Sequence, residues 1–145
     1  AGARYFGYAS SIAVHGSTRA RQVNERSARI DLSRPARSQY YETAHMHAYA
    51  RSKVLAEQAF EARSWSMQVD LYRPTVVVDA DGLLKSATWS ALRKAVFLYR
   101  RSQYIYAPDA AEAIAFLLAR GLRRPTPGVE AYTIADDAVL TSREL

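Results

Sequence analysis

The chain has 145 residues, which fits one domain (1–145), and 49% of them are hydrophobic, which is enough for a packed core. It contains no cysteine, so disulfides and cysteine metal sites are excluded, and no apolar run approaches the roughly 20 residues of a membrane span. The formal net charge of +6 comes from scattered arginine, densest over residues 19–37. We therefore expect a cytoplasmic protein, in which that patch is either a solvated loop or a site for an anion.

The first part of the chain predicts one strand and a long loop. Residues 4–9 are short and aromatic and precede Ser10 and Ser11, a pattern typical of a buried strand that ends in a polar loop. The loop continues through residues 11–16. Residues 17–39 are polar and arginine-rich, and loops of that length usually carry a function or move.

A helix is predicted over about residues 47–64, which lack glycine and proline and are rich in good helix formers. One side of this helix carries a stripe of mostly small side chains, formed by Ala48, Ser52, Leu55, Ala56 and Ala59. Such a stripe is suited to close packing against another helix.

Strands and helices alternate through the rest of the chain. Alternating or β-rich runs predict strands at 67–72, 75–78, 103–106 and 131–134. Residues 79–82 predict a turn, and apolar side chains near helical period predict a helix over 83–100. The alternation favours an α/β fold with a largely parallel sheet.

One further helix has clear boundary signals. Asp109 is followed three residues later by Glu112, a capping-box pattern that predicts Asp109 as the N-cap. Gly121 is expected to end this helix. Its buried face is predicted to carry Ile114, Leu117 and Leu118.

Two side chains of the helix over 47–64 could carry chemistry. Tyr49 and Lys53 are four residues apart, so on a helix they are neighbours on one face. An ammonium beside a phenol favours the phenolate, which makes the phenol a possible proton donor and acceptor near neutral pH. The spacing alone is a weak motif, because ten tyrosines and three lysines produce such pairs by chance. Two unrelated side chains on a surface helix are the alternative interpretation.

Four stretches have the spacing of known motifs. Residues 8–16 are similar to a Ser-Ser-x-x-x-Tyr-Gly strand end, residues 49–57 to Tyr-x-x-Ser-Lys-x-x-x-Glu, residues 71–75 to Leu-Arg-Pro-Thr, and residues 104–114 to Val-x-Asp-Val-Ala-Glu-Ala-Ile. In this order they resemble the second half of an extended short-chain dehydrogenase/reductase, the NAD-dependent epimerase/dehydratase family. The resemblance implies a Rossmann-like parallel sheet with flanking helices.

The resemblance also implies roles for individual residues and a nicotinamide cofactor, NAD or NADP. Tyr49 would be the general acid/base on a hydroxyl or carbonyl of a small-molecule substrate such as a sugar nucleotide. Lys53 would support Tyr49 and bind the nicotinamide ribose, and Ser11 would hold the reacting oxygen. Pro74 and Thr75 would lie against the nicotinamide.

The resemblance further implies that residues 83–108 and 122–145 form the substrate side and that the helix over 47–64 makes a homodimer. The family's Gly-x-x-Gly-x-x-Gly turn, which holds the cofactor pyrophosphate, does not occur in this sequence. We expect preceding sequence or another chain to supply that half. His15 stands where tyrosine is common in the family.

Two alternatives stay open. The chain could be a non-catalytic, partner-dependent module that keeps the second half of the fold. It could also be an arginine-rich nucleic-acid binder, although the basic patch lacks the stacking aromatic residues that favour such binding. No metal site is expected, because His45 and His47 would point to different faces of a helix.

Overall fold

The computed structural model describes residues 2–16, 23–34, 44–86, 88–91, 101–123, 125–137 and 139–141. Within these residues the strands are β1 Tyr5–Ala9, β2 Gln68–Pro74, β3 Val76–Val78, β4 Arg101–Tyr106, β5 Gly128–Ile134 and β6 Val139–Thr141. The helices are α1 Ala44–Glu61, α2 Ala80–Ser86 and α3 Ala107–Arg123, and a 3-10 turn spans Ile12–His15.

The described strands form two three-stranded sheets. The first has the order β1-β2-β5 and is parallel throughout, with Tyr5 opposite Gln68 and Gln68 opposite Gly128. The second has the order β3-β4-β6, in which β3 and β4 are parallel and β4 and β6 antiparallel. The α/β class with a parallel sheet and flanking helices is therefore confirmed.

The expectation that the first strand is buried is wrong. Phe6 is 41% exposed, and Gly7 and Ala9 are exposed as well. In the described sheet β1 lies at an edge and pairs with β2 alone. An aromatic composition reports the tendency of a strand to be buried, whereas its exposure depends on how many neighbours cover it.

Helix α1 begins three residues earlier and ends three residues earlier than expected. Its buried residues are Ala50, Val54 and Glu57, which follow helical spacing. Ala50 and Val54 pack in one core cluster with Ala13, Val14 and Ile30. The small-residue stripe lies elsewhere on the helix, with Ala56 half-buried and the other four members exposed. Packing of that stripe against another helix stays a prediction.

The N-terminal signal assigned to Asp109 is wrong. Helix α3 already includes Ala107 and Pro108, so Asp109 lies in its first turn. Proline is well accommodated there, because the first helical N–H groups have no partner within the helix. The Asp109 carboxylate is still well placed, since negative charge in the first turn complements the helix dipole.

Gly121 does not end α3, which continues to Arg123. A Cβ atom built on Gly121 would lie 2.1 Å from the ring of Tyr5, so the glycine is needed for close packing of α3 on β1. Ile114 and Leu117 pack against the core as expected, but Leu118 is 40% exposed. The expectation for Leu118 is therefore wrong.

The turn expected at residues 79–82 is the start of α2. The Asp79 carboxylate accepts the N–H of Gly82 at 2.5 Å, as an N-cap residue does. Aspartate makes the same kind of local bond in turns and in caps, so the sequence pattern is ambiguous. The helix expected over 83–100 overlaps α2 only as far as Ser86, and it is wrong at residues 88–90, which are not helical. Residues 87 and 92–100 lie outside the described residues.

A polar cluster lies between β1, β2 and α3. The Tyr5 hydroxyl donates to Asp70 Oδ2 at 2.6 Å and also contacts the Tyr72 hydroxyl. The amide of Gln68 donates to Asp70 Oδ1 at 2.8 Å. Burial, followed by the hydrogen bond to Asp70, raises the pKa of Tyr5 above its ordinary value of 10.0. We call this side of the first sheet the α3 face, and the side on which Arg73 meets Glu57 the α1 face.

None of the helices in the described ranges is long and apolar enough to cross a membrane.

Candidate active site

Three of the predicted site residues lie at or just after the carboxyl ends of two neighbouring strands. Ser11 comes two residues after the end of β1, Pro74 ends β2, and Thr75 follows it. Because β1 and β2 are parallel and adjacent, these ends meet at one edge of the sheet. Open α/β sheets bind their ligands outside this edge.

Lys53 joins α1 to the same edge. Its Nζ donates to the carbonyl of Ala9, the last residue of β1, at 2.7 Å. The Lys53 Nζ also lies 5.6 Å from the centre of the Tyr49 ring and 5.1 Å from that of Tyr8. The structure thus brings Tyr49 and Lys53 together, as their spacing predicts. Tyr49 is 38% exposed, so a ligand can reach it.

Ser11 is almost buried and caps the turn that follows β1. Its Oγ accepts the N–H of Ala13 at 3.2 Å. This bond uses a lone pair of the oxygen, so the hydroxyl proton stays available for an oxygen of a bound molecule. Among the described residues, Ser11 is not hydrogen-bonded to Tyr49 or Lys53. The link between Lys53 and Ser11 is Ala9, which accepts from Lys53 and lies two residues before Ser11.

Thr75 has the features of a ligand-facing residue. Its N–H donates to the carbonyl of Ile134 at 2.9 Å, which holds the backbone in place. Its Oγ1 is buried and has no hydrogen-bond partner among the described residues. Buried hydroxyl groups nearly always have a partner. An unpaired one beside Pro74, at the ligand edge of the sheet, fits a site for a polar cofactor.

Residues 1–111 match a family model of NAD-binding domains that is described as "Male sterility protein". The chain belongs to this family, one of the extended short-chain dehydrogenases/reductases. The match covers more than half of the 145 residues and includes all the predicted site residues. A comparison with curated proteins gives no match.

Solved structures with the same fold include the following three. A functionally unknown conserved protein from Silicibacter pomeroyi DSS has a TM-score of 0.62 and 22% identity, over 96% of this chain and 43% of that chain. UDP-N-acetylglucosamine 4-epimerase from Bacillus cereus has a TM-score of 0.59 and 16% identity, over 95% and 45%. A UDP-galactose 4-epimerase has a TM-score of 0.60 and 19% identity, over 94% and 43%. The chain therefore spans less than half the length of each of these structures.

Next to the predicted site residues, the carboxylate of Glu57 accepts four hydrogen bonds. Glu57 is fully buried and accepts from Ser10 Oγ at 2.6 Å, from Arg73 Nε and Nη2 at 2.9 and 2.7 Å, and from Arg29 Nη1 at 3.1 Å. We call Ser10, Arg29, Glu57 and Arg73 the Glu57 cluster. Burial raises the pKa of Glu57, but the hydrogen bonds from Arg73 and Ser10 outweigh it and hold the pKa below its ordinary value of 4.5.

Sequence reasoning gave Glu57 and Arg73 only as positions of family motifs and missed Ser10. The available signal was the doubled serine at the strand end, in which only Ser11 was assigned a role. Arg29 gave no signal, because it is one of several arginines in a polar stretch.

The described part of the arginine-rich loop, residues 23–34, lies against the site. The N–H of Ile30 donates to the carbonyl of Val14 at 2.8 Å, and Nδ1 of His15 bonds the carbonyl of Ala28 at 3.0 Å. Arg29 forms ion pairs with Glu57 and, at 2.7 Å, with Glu61. The loop is thus bound to the turn that contains Ser11 and to α1.

His15 occupies the position where the dehydrogenase/reductase family commonly has tyrosine. It is buried, and burial lowers its pKa below the ordinary value of 6.5. Its Nε2 has no hydrogen-bond partner among the described residues. Within those residues, no three histidine, aspartate or glutamate side chains come together as a metal site would require.

Proposed function

We propose that this protein is an NAD- or NADP-dependent oxidoreductase or epimerase/dehydratase, with Tyr49 as its general acid/base. The observation that carries the proposal is the position of Lys53. Its ammonium is fixed on the carboxyl end of β1 and lies beside the Tyr49 ring. A phenol next to an ammonium, at the ligand edge of a parallel sheet in an NAD-binding family, suits proton transfer to and from an alcohol or carbonyl.

Each residue then has a defined task. Tyr49 takes the proton from a substrate hydroxyl or returns it to the oxygen of a carbonyl. Lys53 places its positive charge beside the Tyr49 ring, and Ser11 donates its hydroxyl proton in a hydrogen bond to the same substrate oxygen. Thr75, Pro74 and Lys53 would hold the nicotinamide end of the cofactor, which when bound supplies or accepts the hydride.

A sugar nucleotide or a similar small molecule with a hydroxyl or carbonyl group is the substrate class we propose. Support comes from two of the structures with the same fold, which are 4-epimerases of UDP-N-acetylglucosamine and UDP-galactose. Residues 83–108 and 122–145 are proposed to contribute the substrate side of the site.

Replacement of Tyr49 by phenylalanine tests the proposal. It removes the proton-transfer group and keeps the ring, so turnover in the full-length protein is expected to fall by ~10² to 10⁴. The matched control is Tyr5→Phe, which removes a hydroxyl on the α3 face. It is expected to keep the parent turnover at a temperature where it is folded. Parent turnover in Tyr49→Phe would show that another group carries the proton.

A partner-dependent module is the second candidate. The exposure of β1, the outer strand on one side of the described sheet, favours it. Phe6 is 41% exposed at that edge. No two glycines of the sequence are closer than five positions, so these residues cannot build the glycine-rich turn that binds a pyrophosphate. We expect the 145 residues alone to bind NADH and NADPH poorly. Calorimetric titration that shows micromolar binding by this chain would contradict the second candidate.

We also propose a homodimer formed through the small-residue stripe of α1. Leu55 is 46% exposed within that stripe, so an apolar side chain is available for a contact with a second copy. Leu55→Glu is expected to convert a dimer into a monomer in light scattering. Leu118→Glu, on α3 and 40% exposed, is the matched control. A parent protein that stays monomeric at high concentration would rule the dimer out.

A further inference from the structure

Two side chains on α1, one and two turns beyond Tyr49, bond to successive residues of the chain that leads to Ser11. Tyr49, Lys53 and Glu57 are spaced by four residues, so they follow one side of the helix. Lys53 holds the carbonyl of Ala9, and Glu57 holds the hydroxyl of Ser10. The helix that carries Tyr49 is therefore bonded to the two residues immediately before Ser11.

We propose that Ser10 is a positioning residue that fixes Ser11 relative to Tyr49 through Glu57. The inference rests on the proposed function, in which Ser11 and Tyr49 act on one substrate oxygen. Ser10 is 3% exposed and its Oγ lies 2.6 Å from the Glu57 carboxylate. Its N–H donates to the carbonyl of Tyr8 at 3.0 Å, so the chain bends at Ala9, immediately before Ser10. Both the backbone and the side chain of Ser10 are thus held where the chain enters Ser11.

The acceptor of this bond is itself immobilised. Arg73 donates two parallel bonds to Glu57, and Arg29 donates a third. Together with Ser10 these donors fill the lone-pair positions of the carboxylate. Because Arg73 belongs to β2, the Glu57 carboxylate is fixed to the sheet as well as to α1. Ser10 therefore binds to a group that cannot turn away without losing charged partners.

The turn that contains Ser11 is also held from its other side. The bond from Ile30 to Val14 attaches residues 23–34 to this turn, and Arg29 attaches the same segment to Glu57. A displacement of about 1 Å at a reacting group can reduce a rate 10²-fold. Loss of the Ser10 hydroxyl should thus affect catalysis even though Ser10 itself touches no reacting atom.

A double-mutant cycle of Ser10→Ala and Ser11→Ala in the full-length protein separates positioning from mere stabilisation. Ser10→Ala is expected to lower kcat about tenfold with a smaller change in KM. In the Ser11→Ala background the same change should lower kcat little further, because the group that it positions is gone. Ser10→Thr keeps the hydroxyl and should restore most of the kcat.

The matched control is Glu61→Gln, which removes an ion pair of Arg29 on the same helix but touches neither Ser10 nor Arg73. It should leave kcat at the parent value. Circular dichroism checks that each variant is folded. If Ser10→Ala does not fold, Ser10→Cys replaces it, because a thiol fills a similar volume but is a weak donor.

Two results would overturn the inference and leave the proposed function intact. One is a folded Ser10→Ala or Ser10→Cys variant with the parent kcat. The other is a loss that recurs in full when Ser11 is already alanine. Parent activity in Ser11→Ala would instead contradict the role of Ser11 in the proposed function, and the inference would fall with it.

Discussion

The two faces of the β1-β2-β5 sheet each bury one carboxylate, and they satisfy it in different ways. On the α1 face, Glu57 meets the guanidinium groups of Arg29 and Arg73. On the α3 face, Asp70 is 1% exposed and accepts from two neutral donors among the described residues, the hydroxyl of Tyr5 and the amide of Gln68. Charge therefore fixes the acid beside the proposed site, whereas neutral hydrogen bonds fix the acid on the opposite face.

The difference indicates which of the two carboxylates is held more rigidly in position. Charge-assisted bonds from a planar guanidinium define both distance and direction, and they are roughly twice as strong as neutral ones. Bonds of this kind suit the proposed site, in which Ser11 must stay near Tyr49. The α3 face holds α3 on the sheet by close packing, with Ile105, Ala110 and Ile134 around Tyr72.

The largest expected effect on stability is that of Glu57→Ala. It leaves the guanidinium of Arg73, whose side chain is 3% exposed, buried without its carboxylate. Loss of one partner of a buried ion pair costs about 3–5 kcal/mol. Asp70→Ala leaves neutral donors unpaired and should cost about 1–3 kcal/mol. Urea denaturation of both variants measures the two losses, and equal losses would remove the proposed distinction between the faces.

A smaller loss of stability is expected on the α3 face from Gly121→Ala. The added methyl group would meet the Tyr5 ring, so the ring or the helix must move. Overpacking of this kind typically costs about 1–3 kcal/mol. Gly2→Ala is the matched control, because a Cβ at Gly2 meets nothing within 4 Å. A Gly121→Ala variant as stable as the Gly2→Ala variant would show that α3 is not tightly seated on Tyr5.

The two faces should also lose stability at opposite ends of the pH scale. Folding lowers the pKa of Glu57, so the contribution of Glu57 to stability is complete above pH 4.5. That contribution is lost as the pH falls through the lowered pKa. The pKa of His15 is also lowered, so the α1 face loses further stability as the pH falls below 6.5. The pKa of Tyr5 is raised, so the contribution of Tyr5 to stability is complete below pH 10.0. That contribution is lost as the pH rises toward the raised pKa.

Thermal unfolding measured across the pH range checks this assignment. Glu57→Gln should flatten the acid side of the profile alone, and Tyr5→Phe the alkaline side alone. An acid side that is unchanged in Glu57→Gln would mean that His15 or other carboxylates govern it.

The sequence was sufficient for the features that depend on local pattern. The alternation of strands and helices and the neighbouring positions of Tyr49 and Lys53 follow from spacing within single segments, whereas the family was identified from the resemblance of four stretches in order. Helix α1 differs from its prediction by three residues at each end. Such boundaries depend on capping contacts that propensity does not contain.

The features that failed depend on distant contacts. Gly121 was predicted to end α3 because glycine is common at helix ends. The glycine is instead required by the close approach of the Tyr5 ring, which belongs to another element. The role of Ser10 depends on Glu57, 47 positions later in the chain. Composition indicates which residues tend to be buried, but only the fold shows which partner a buried polar group finds.

The parallel register of the first sheet also has a consequence for how the protein reaches its native state. Each strand of the β1-β2-β5 order pairs with one about 60 residues away. Pairing over such separations requires large loops to close before any bond compensates for the lost chain entropy, and folding is correspondingly slow. Of the described strands of this sheet, β2 and β5 emerge from the ribosome after β1, and β5 emerges last. Tyr5 and Ser10 are therefore synthesised 65 and 47 residues before Asp70 and Glu57, the partners that fix their hydroxyl groups.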